Sequence, residues 1–220
     1  MTQIHCFTHD YKGSCVVAIS DDNHAVIFDP GQACFGLETV QDIQSVLGPI
    51  IPEAVFLTHS HYDHVGALPY LKQQWPALQV YGAPYASRVM SKPSARETMY
   101  KLALDAAKTN KCTLPDGYDE NLLTIDITFE NGDVFKFGNM TIKTISTPGH
   151  TKCSTVFIID ETTAIGSETL GMVRSDGSYD PQFLIGFTSA QESIEQLRKL
   201  PLQTYIMPHM GPWNNPTETG

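Results

Sequence analysis

The residues most able to do chemistry lie together in Thr58-His59-Ser60-His61-Tyr62-Asp63-His64. Three imidazoles and one carboxylate fall within six positions. Neutral nitrogen and carboxylate oxygen donors at this density call for a cation between them. A lone histidine is usually settled by hydrogen bonding; four donors in one short stretch are not. His59 and His61 are two apart, so on a near-extended chain they point the same way and can grip one ion. Asp63 and His64 follow past a turn and can grip a second. The spacing therefore predicts a site for two metals.

Something must hold this cluster in place. Ala54–Leu57 is a short apolar run that fits a buried strand better than a helix of under two turns, which puts Thr58–His64 at a strand's exit. Upstream, Ser14–Ser20 and Ala25–Phe28 read as a hairpin turned by Asp21-Asp22-Asn23, with Asp29-Pro30-Gly31 ending the second strand. Leu37, Val40, Ile43, Val46 and Leu47 recur at helical spacing until Gly48-Pro49. Ala67–Trp75 continues as a helix and Leu78–Tyr81 as a strand. Pro84–Asn110 carries Arg88, Lys92, Arg96, Lys101 and Lys108, five of the 14 basic residues in 27 positions. It reads as an inserted helical lid, offering Tyr85, Met90, Met99 and Tyr100 for apolar contacts and Arg88 or Arg96 as charge for an acidic or acyl substrate. Strands are expected at Leu123–Phe129, Asp133–Phe137, Thr141–Ser146, Thr155–Ile159 and Thr163–Ile165, a helix at Ser189–Leu200 and a last strand at Gln203–Met207. Two similar halves of strands plus helix suggest two sheets between outer helices, in one domain spanning 1–220 with the helical insertion at about 84–110.

His-x-His-x-Asp-His after a hydrophobic strand resembles the signature of the metallo-β-lactamase superfamily, and the resemblance extends over nearly the whole chain. It implies an α/β fold, the four-layer αββα sandwich, with a binuclear metal site at one edge of the sheets. The family's early Asp-x-Gly is matched by Asp29-Pro30-Gly31, its second motif by Thr147-Pro148-Gly149-His150-Thr151 and its last histidine by Pro208-His209-Met210-Gly211. One position departs. Where the family usually places Gly-Asp, with the aspartate bridging both metals, this chain reads Ser167-Glu168-Thr169-Leu170-Gly171. The resemblance thus implies His59, His61 and His150 around one metal and Asp63, His64 and His209 around the other. Glu168, one methylene longer than aspartate, is the candidate bridge. His5, His9 and His24 match no motif and are expected to be solvent-exposed or in structural hydrogen bonds, and Cys153 is expected in the core.

Five histidines, one aspartate and one glutamate without a thiolate suit zinc or iron, with manganese also compatible. Two such divalent metals lower the pKa of a bridging water and polarise a carbonyl, so hydrolysis by a bridging hydroxide is expected, with Asp63 as its orienting catalytic residue. The 86 residues from His64 to His150 leave room for a lid, an arrangement similar to the quinolone-signal response thioesterase and lactonase-like members. This implies a small ester, thioester or lactone substrate. The rival reading comes from Pro208–Trp213, which resembles the corresponding stretch of flavodiiron proteins. It implies a diiron oxygen-binding sensor, or a relative of the oxygen and nitric oxide reductases without a flavin domain; those reductases, however, place glutamate where this chain has His61.

Composition narrows the partners. With 14 basic against 24 acidic residues the formal charge is −10, and the basic residues are too scattered for a nucleic-acid-binding stripe. No apolar run approaches the roughly 18–20 residues of a membrane span. Met1–Gly13 does not read as a secretion signal, which makes a cytoplasmic location the expectation. The five cysteines include no Cys-x-x-Cys pair, which argues against a disulfide framework or a zinc knuckle. A small-molecule substrate or dioxygen is the expected partner, and a homodimer is left open.

Overall fold

Alternation along the strands sorts side chains into separate cores in the computed structural model, which describes residues 1–173 and 177–214; the other positions of the stretch 1–220 lie outside the described residues. The first sheet comprises β1 (Gln3–Phe7), β2 (Cys15–Ile19), β3 (Ala25–Phe28), β4 (Ala54–Phe56), β5 (Gln79–Gly82) and β6 (Ile127–Thr128), in that order. On β2 and β3, Cys15, Val17, Ile19, Ala25 and Ile27 face one core, while Val16, Ala18, Val26 and Phe28 face another. That is the period of two that a strand imposes when both faces are covered.

The outer core is closed by α1 (Gly36–Leu47), α2 (Tyr62–Val65), α3 (Leu68–Gln74), α4 (Pro84–Met90) and α5 (Pro93–Thr109). In α1 the residues Val40, Ile43 and Leu47 turn inward, and the helix stops at Gly48, whose φ of 56° suits glycine. The second sheet runs β14-β13-β10-β9-β8-β7. Its strands are β7 (Val134–Phe137), β8 (Met140–Ser146), β9 (Thr155–Ile159), β10 (Thr163–Ile165), β13 (Thr204–Met207) and β14 (Gly211–Asn214). A small ribbon of β11 (Met172–Val173) and β12 (Tyr179–Asp180) stands apart. On β9, Phe157 and Ile159 face the first sheet, and Val156 and Ile158 face the core that includes Leu197 of α6 (Phe187–Arg198). Helices, sheet, sheet and helix therefore form four layers, as expected.

Strand direction positions the site. β3, β4 and β5 are mutually parallel, and β10 is parallel to β13 and antiparallel to β9, which is antiparallel to β8. The exits of β3, β4 and β5 thus share one edge of the first sheet, and those of β8, β10 and β13 share one edge of the second. The N–H of Thr155 donates to the Thr58 carbonyl at 2.9 Å, so these two edges meet.

Two elements differ from expectation. Leu123–Phe129 is not one strand, because Leu123 is buried in the helical core and Phe129 between the sheets. The segment crosses layers, and only Ile127–Thr128 pairs with β5. Residues 84–110 form α4 and α5, but Met90 and Met99 are buried in the outer core, unlike the site-facing contacts expected of them. Arg96 donates to the Met90 carbonyl. β1 and β14 went unread; both are edge strands, one carrying His5 and Cys6 and the other Pro212. Among the described residues no helix is long and apolar enough to cross a membrane.

Candidate metal centre

The exit of β4 supplies four donors and the opposing sheet three. Thr58 to Ser60 follow the strand, starting with a bend at Thr58, His61 with extended backbone precedes α2, and α2 itself carries Asp63 and His64. His150 lies in the turn from β8 to β9, Glu168 in the single helical turn after β10, and His209 after β13 with φ of 63°. The folded chain gathers these seven residues into two groups, His59 with His61 and His150, and Asp63 with His64, Glu168 and His209. Within each group one donor atom per residue lies within 4.8 Å of the others.

The two groups meet at Glu168. Its Oε1 is 2.8 Å from His64 Nε2 and 3.4 Å from His209 Nε2, whereas Oε2 is 3.4 Å from His150 Nε2 and 3.6 Å from His59 Nε2. The longer side chain thus spans the position where the resemblance implies a bridging aspartate.

Outer hydrogen bonds fix which nitrogen four of the five rings turn inward. Asp29, at the exit of β3, accepts from the Thr58 N–H (2.8 Å), from the Thr58 hydroxyl (2.6 Å) and from His64 Nδ1 (2.8 Å). With its proton committed to Asp29, Thr58 Oγ1 accepts from His59 Nδ1 at 3.0 Å. His150 Nδ1 donates to the Gln182 carbonyl at 2.9 Å and His209 Nδ1 to the Gly13 carbonyl at 3.2 Å. Four rings are therefore left with Nε2 facing inward, while His61 presents Nδ1, 3.1 Å from His150 Nε2. Outer partners of this kind set the tautomer and raise the basicity of metal-binding imidazoles.

The donor set fits a pair of divalent metals. His59 Nε2 and Glu168 Oε2 are buried without a hydrogen-bond partner, and once His59 Nδ1 donates outward both are lone-pair acceptors facing each other. A cation between them satisfies both. The electrostatics of His59 and His61 agree with this arrangement. Burial and the neighbouring His64 hold His59 well below the usual histidine range, and burial and His150 lower His61, so both stay neutral. Burial acts against Glu168 and His64 alike. Even so, the surrounding imidazoles keep Glu168 well below the usual carboxylate range, and Glu168 and Asp29 keep His64 well above the usual histidine one.

The sequence reading missed these outer partners. Asp29 was visible as part of a motif, but its role came only with its contacts, and the carbonyls of Gly13 and Gln182 carry no side-chain signal. His9 stacks on Phe35 and pairs with Asp42, and His24 pairs with Glu53, away from both donor groups. Cys153 is buried, with its sulfur 3.6 Å from Ser60 Oγ.

The sequence profile of the metallo-beta-lactamase superfamily matches residues 10–209. The chain belongs to that superfamily. Two relatives named hydroxyacylglutathione hydrolase illustrate the likeness. That of Xylella fastidiosa strain M23 is 28% identical over 208 residues, covering 94% of this chain and 61% of the relative. That of Xanthomonas axonopodis pv. citri is 29% identical over 202 residues, covering 91% and 60%. The chain thus spans about three fifths of their length. An archaeal superfamily protein from Sulfolobus tokodaii shares the fold with a TM-score of 0.72 at 18% identity, over 96% of this chain and 81% of that one. A further protein, solved in a di-iron-bound form, superposes with a TM-score of 0.67 at 22% identity, over 97% and 96%. In this superfamily member all seven donors meet at the shared edge of the two sheets.

Proposed function

We propose that this chain is a binuclear metal-dependent hydrolase of a small thioester, ester or lactone. The observation that carries the reading is the pair of buried donor groups joined by Glu168 and opening towards solvent at His61 and Asp63. Their rings are fixed from behind and their lone pairs converge. The relatives named for hydrolysis of a hydroxyacyl glutathione, an acyl thioester, support that class of substrate. The chain's formal charge of −10 supports a small molecule over nucleic acid.

Two divalent metals, zinc or iron by the donor set, would supply Lewis acidity and bring the pKa of a water down to about 7. His59, His61 and His150 would hold one, and Asp63, His64 and His209 the other, with Glu168 offsetting the charge of both. Asp63 alone among the carboxylates here keeps a partly exposed side chain, 24% accessible, with Oδ2 3.6 Å from His209 Nε2. It is placed to orient a water at the opening and to take up a proton, while the Asp29 carboxylate keeps His64 aimed inward.

The test loads metal-free protein anaerobically with zinc or ferrous iron. It then follows hydrolysis of a panel of small thioesters, esters and lactones alongside the optical response to air. Cleavage with zinc, without an oxygen-dependent band, is the expected result. A stable oxygen-dependent chromophore with no hydrolysis under either metal would replace this reading with the diiron sensor.

A further inference from the structure

Two of the five cysteines lie against each other. Cys34 belongs to the single helical turn Ala33–Phe35 that follows Asp29-Pro30-Gly31, and Cys112 follows the end of α5. Asn110 ties the two segments together, since its Nδ2 lies 2.9 Å from Gln32 Oε1 and 3.9 Å from Cys34 Sγ. At Lys111 the backbone turns left-handed, with φ of 58°, and the Cys112 N–H closes back on the Ala107 carbonyl at 3.0 Å. The thiols of Cys34 and Cys112, 78 positions apart in the sequence, share a hydrogen bond.

Their surroundings differ. Cys34 is buried, whereas Cys112 is half-buried and lines an open surface groove with Lys108 and Tyr118. Burial first, and the hydrogen bond to Cys112 after it, push the Cys34 thiol up to about 12, so Cys34 stays protonated and unreactive on its own. A reagent from solvent meets Cys112 first, with Cys34 standing beside it. An accessible thiol next to a second one is the arrangement in which oxidation of the first is resolved by a bond between the two. That bond would also have a structural effect, because α2, which carries Asp63 and His64, packs on both the Ala33–Phe35 turn and α5.

We infer that Cys34 and Cys112 form a site of reversible oxidation by hydroperoxides, closing to a disulfide that staples α5 to the turn after β3. The Cys112 sulfur attacks the terminal oxygen of R–O–O–H, the O–O bond breaks, and the products are Cys112–S–OH and R–OH, which keeps the thiol proton. The Cys34 sulfur then attacks that of Cys112, and its proton leaves with the hydroxyl as water. The two thiols lose two electrons and the peroxide gains them; a thiol reductant reverses the bond through a mixed disulfide. This site is independent of the reaction at the metal centre.

The test exposes reduced wild type to equimolar hydrogen peroxide, unfolds it in N-ethylmaleimide and maps its peptides. Three of the five cysteines should take the label, the peptides of Cys34 and Cys112 should be linked, and dithiothreitol should restore all five labels. The oxidised protein should melt about 5–10 °C higher, since the link constrains a long loop of the unfolded chain. C34S should stop at a sulfenic acid on Cys112, trapped by dimedone, and C112S should leave Cys34 unmodified. Any of four results would overturn the site: five labels on peroxide-treated wild type, a link between Cys6 and Cys15 instead, a link that forms only in denaturant, or a lowered Tm on oxidation. The linked peptide is read on wild type, so it decides the matter even if a serine variant fails to fold.

Discussion

Glu168 is the residue on which the centre turns, because each of its oxygens faces a different group of imidazoles. Removing it leaves two cations without the charge that offsets their repulsion. Glu168→Ala is expected to weaken both metals by at least the roughly 10- to 100-fold typical of losing a metal-site partner. Glu168→Asp should be milder. Elemental analysis after gel filtration checks this, and an alanine variant that retains two metals would remove the bridge. Asp29 acts one step further out, orienting His64 through Nδ1 and His59 through Thr58. Asp29→Asn puts a donor where His64 needs an acceptor, so affinity at the His64 side should fall roughly 10- to 100-fold. The His59–His61–His150 side should change less. Stepwise competition with a chromophoric chelator separates the two.

At the level of elements, α2 matters more than its four residues suggest, since it delivers Asp63 and His64 together. It is pinned from below: the Gly31 N–H donates to the His64 carbonyl at 3.0 Å, and the Ala67 N–H to the Gly31 carbonyl at 2.9 Å. Gly66 makes this approach feasible. A Cβ there would lie 2.5 Å from the Tyr62 carbonyl oxygen and 2.6 Å from the Ala33 nitrogen, both backbone atoms that cannot step aside. Gly66→Ala is therefore expected to cost about 1–3 kcal/mol by overpacking and to displace Asp63 and His64. A lowered Tm accompanied by loss of metal from the second group would bear this out. An unchanged Tm with full metal content would show that the loop yields without strain.

Across the whole molecule, the centre joins the two sheets at one edge. His59, His61, Asp63 and His64 belong to the first, and His150, Glu168 and His209 to the second. Metals bound between them link the halves only in the folded state. At free metal about 1,000-fold above Kd the stabilisation is about 4 kcal/mol per site, about 8 kcal/mol for the two, which for a chain of this size is roughly 20 °C in Tm. Chelation should lower the melting temperature by about that much and reloading should restore it, as scanning calorimetry would report. A Tm indifferent to chelator would mean that the folded chain binds no metal in preference to the unfolded one.

The features legible along the chain are local. Period-two alternation on β2, β3 and β9, the stop at Gly48 and the density of donors in Thr58–His64 depend on neighbours along the chain, where sterics and side-chain chemistry act directly. The likeness of spaced motifs added His150, Glu168 and His209, and with them the sandwich. Tertiary structure alone decided the rest. The layer-crossing path of 123–129 follows from where Leu123 and Phe129 find burial, which no window of sequence reveals. The burial of Met90 and Met99 is of the same kind, since their helices could pack on the core or over the site with identical periodicity. The inward nitrogens of His64, His150 and His209 depend on Asp29 and on the carbonyls of Gln182 and Gly13, groups 32 to 196 residues distant from the histidines they hold. Hydrogen bonds of that range are made by strand order, and strand order is settled only when both sheets close on their common core.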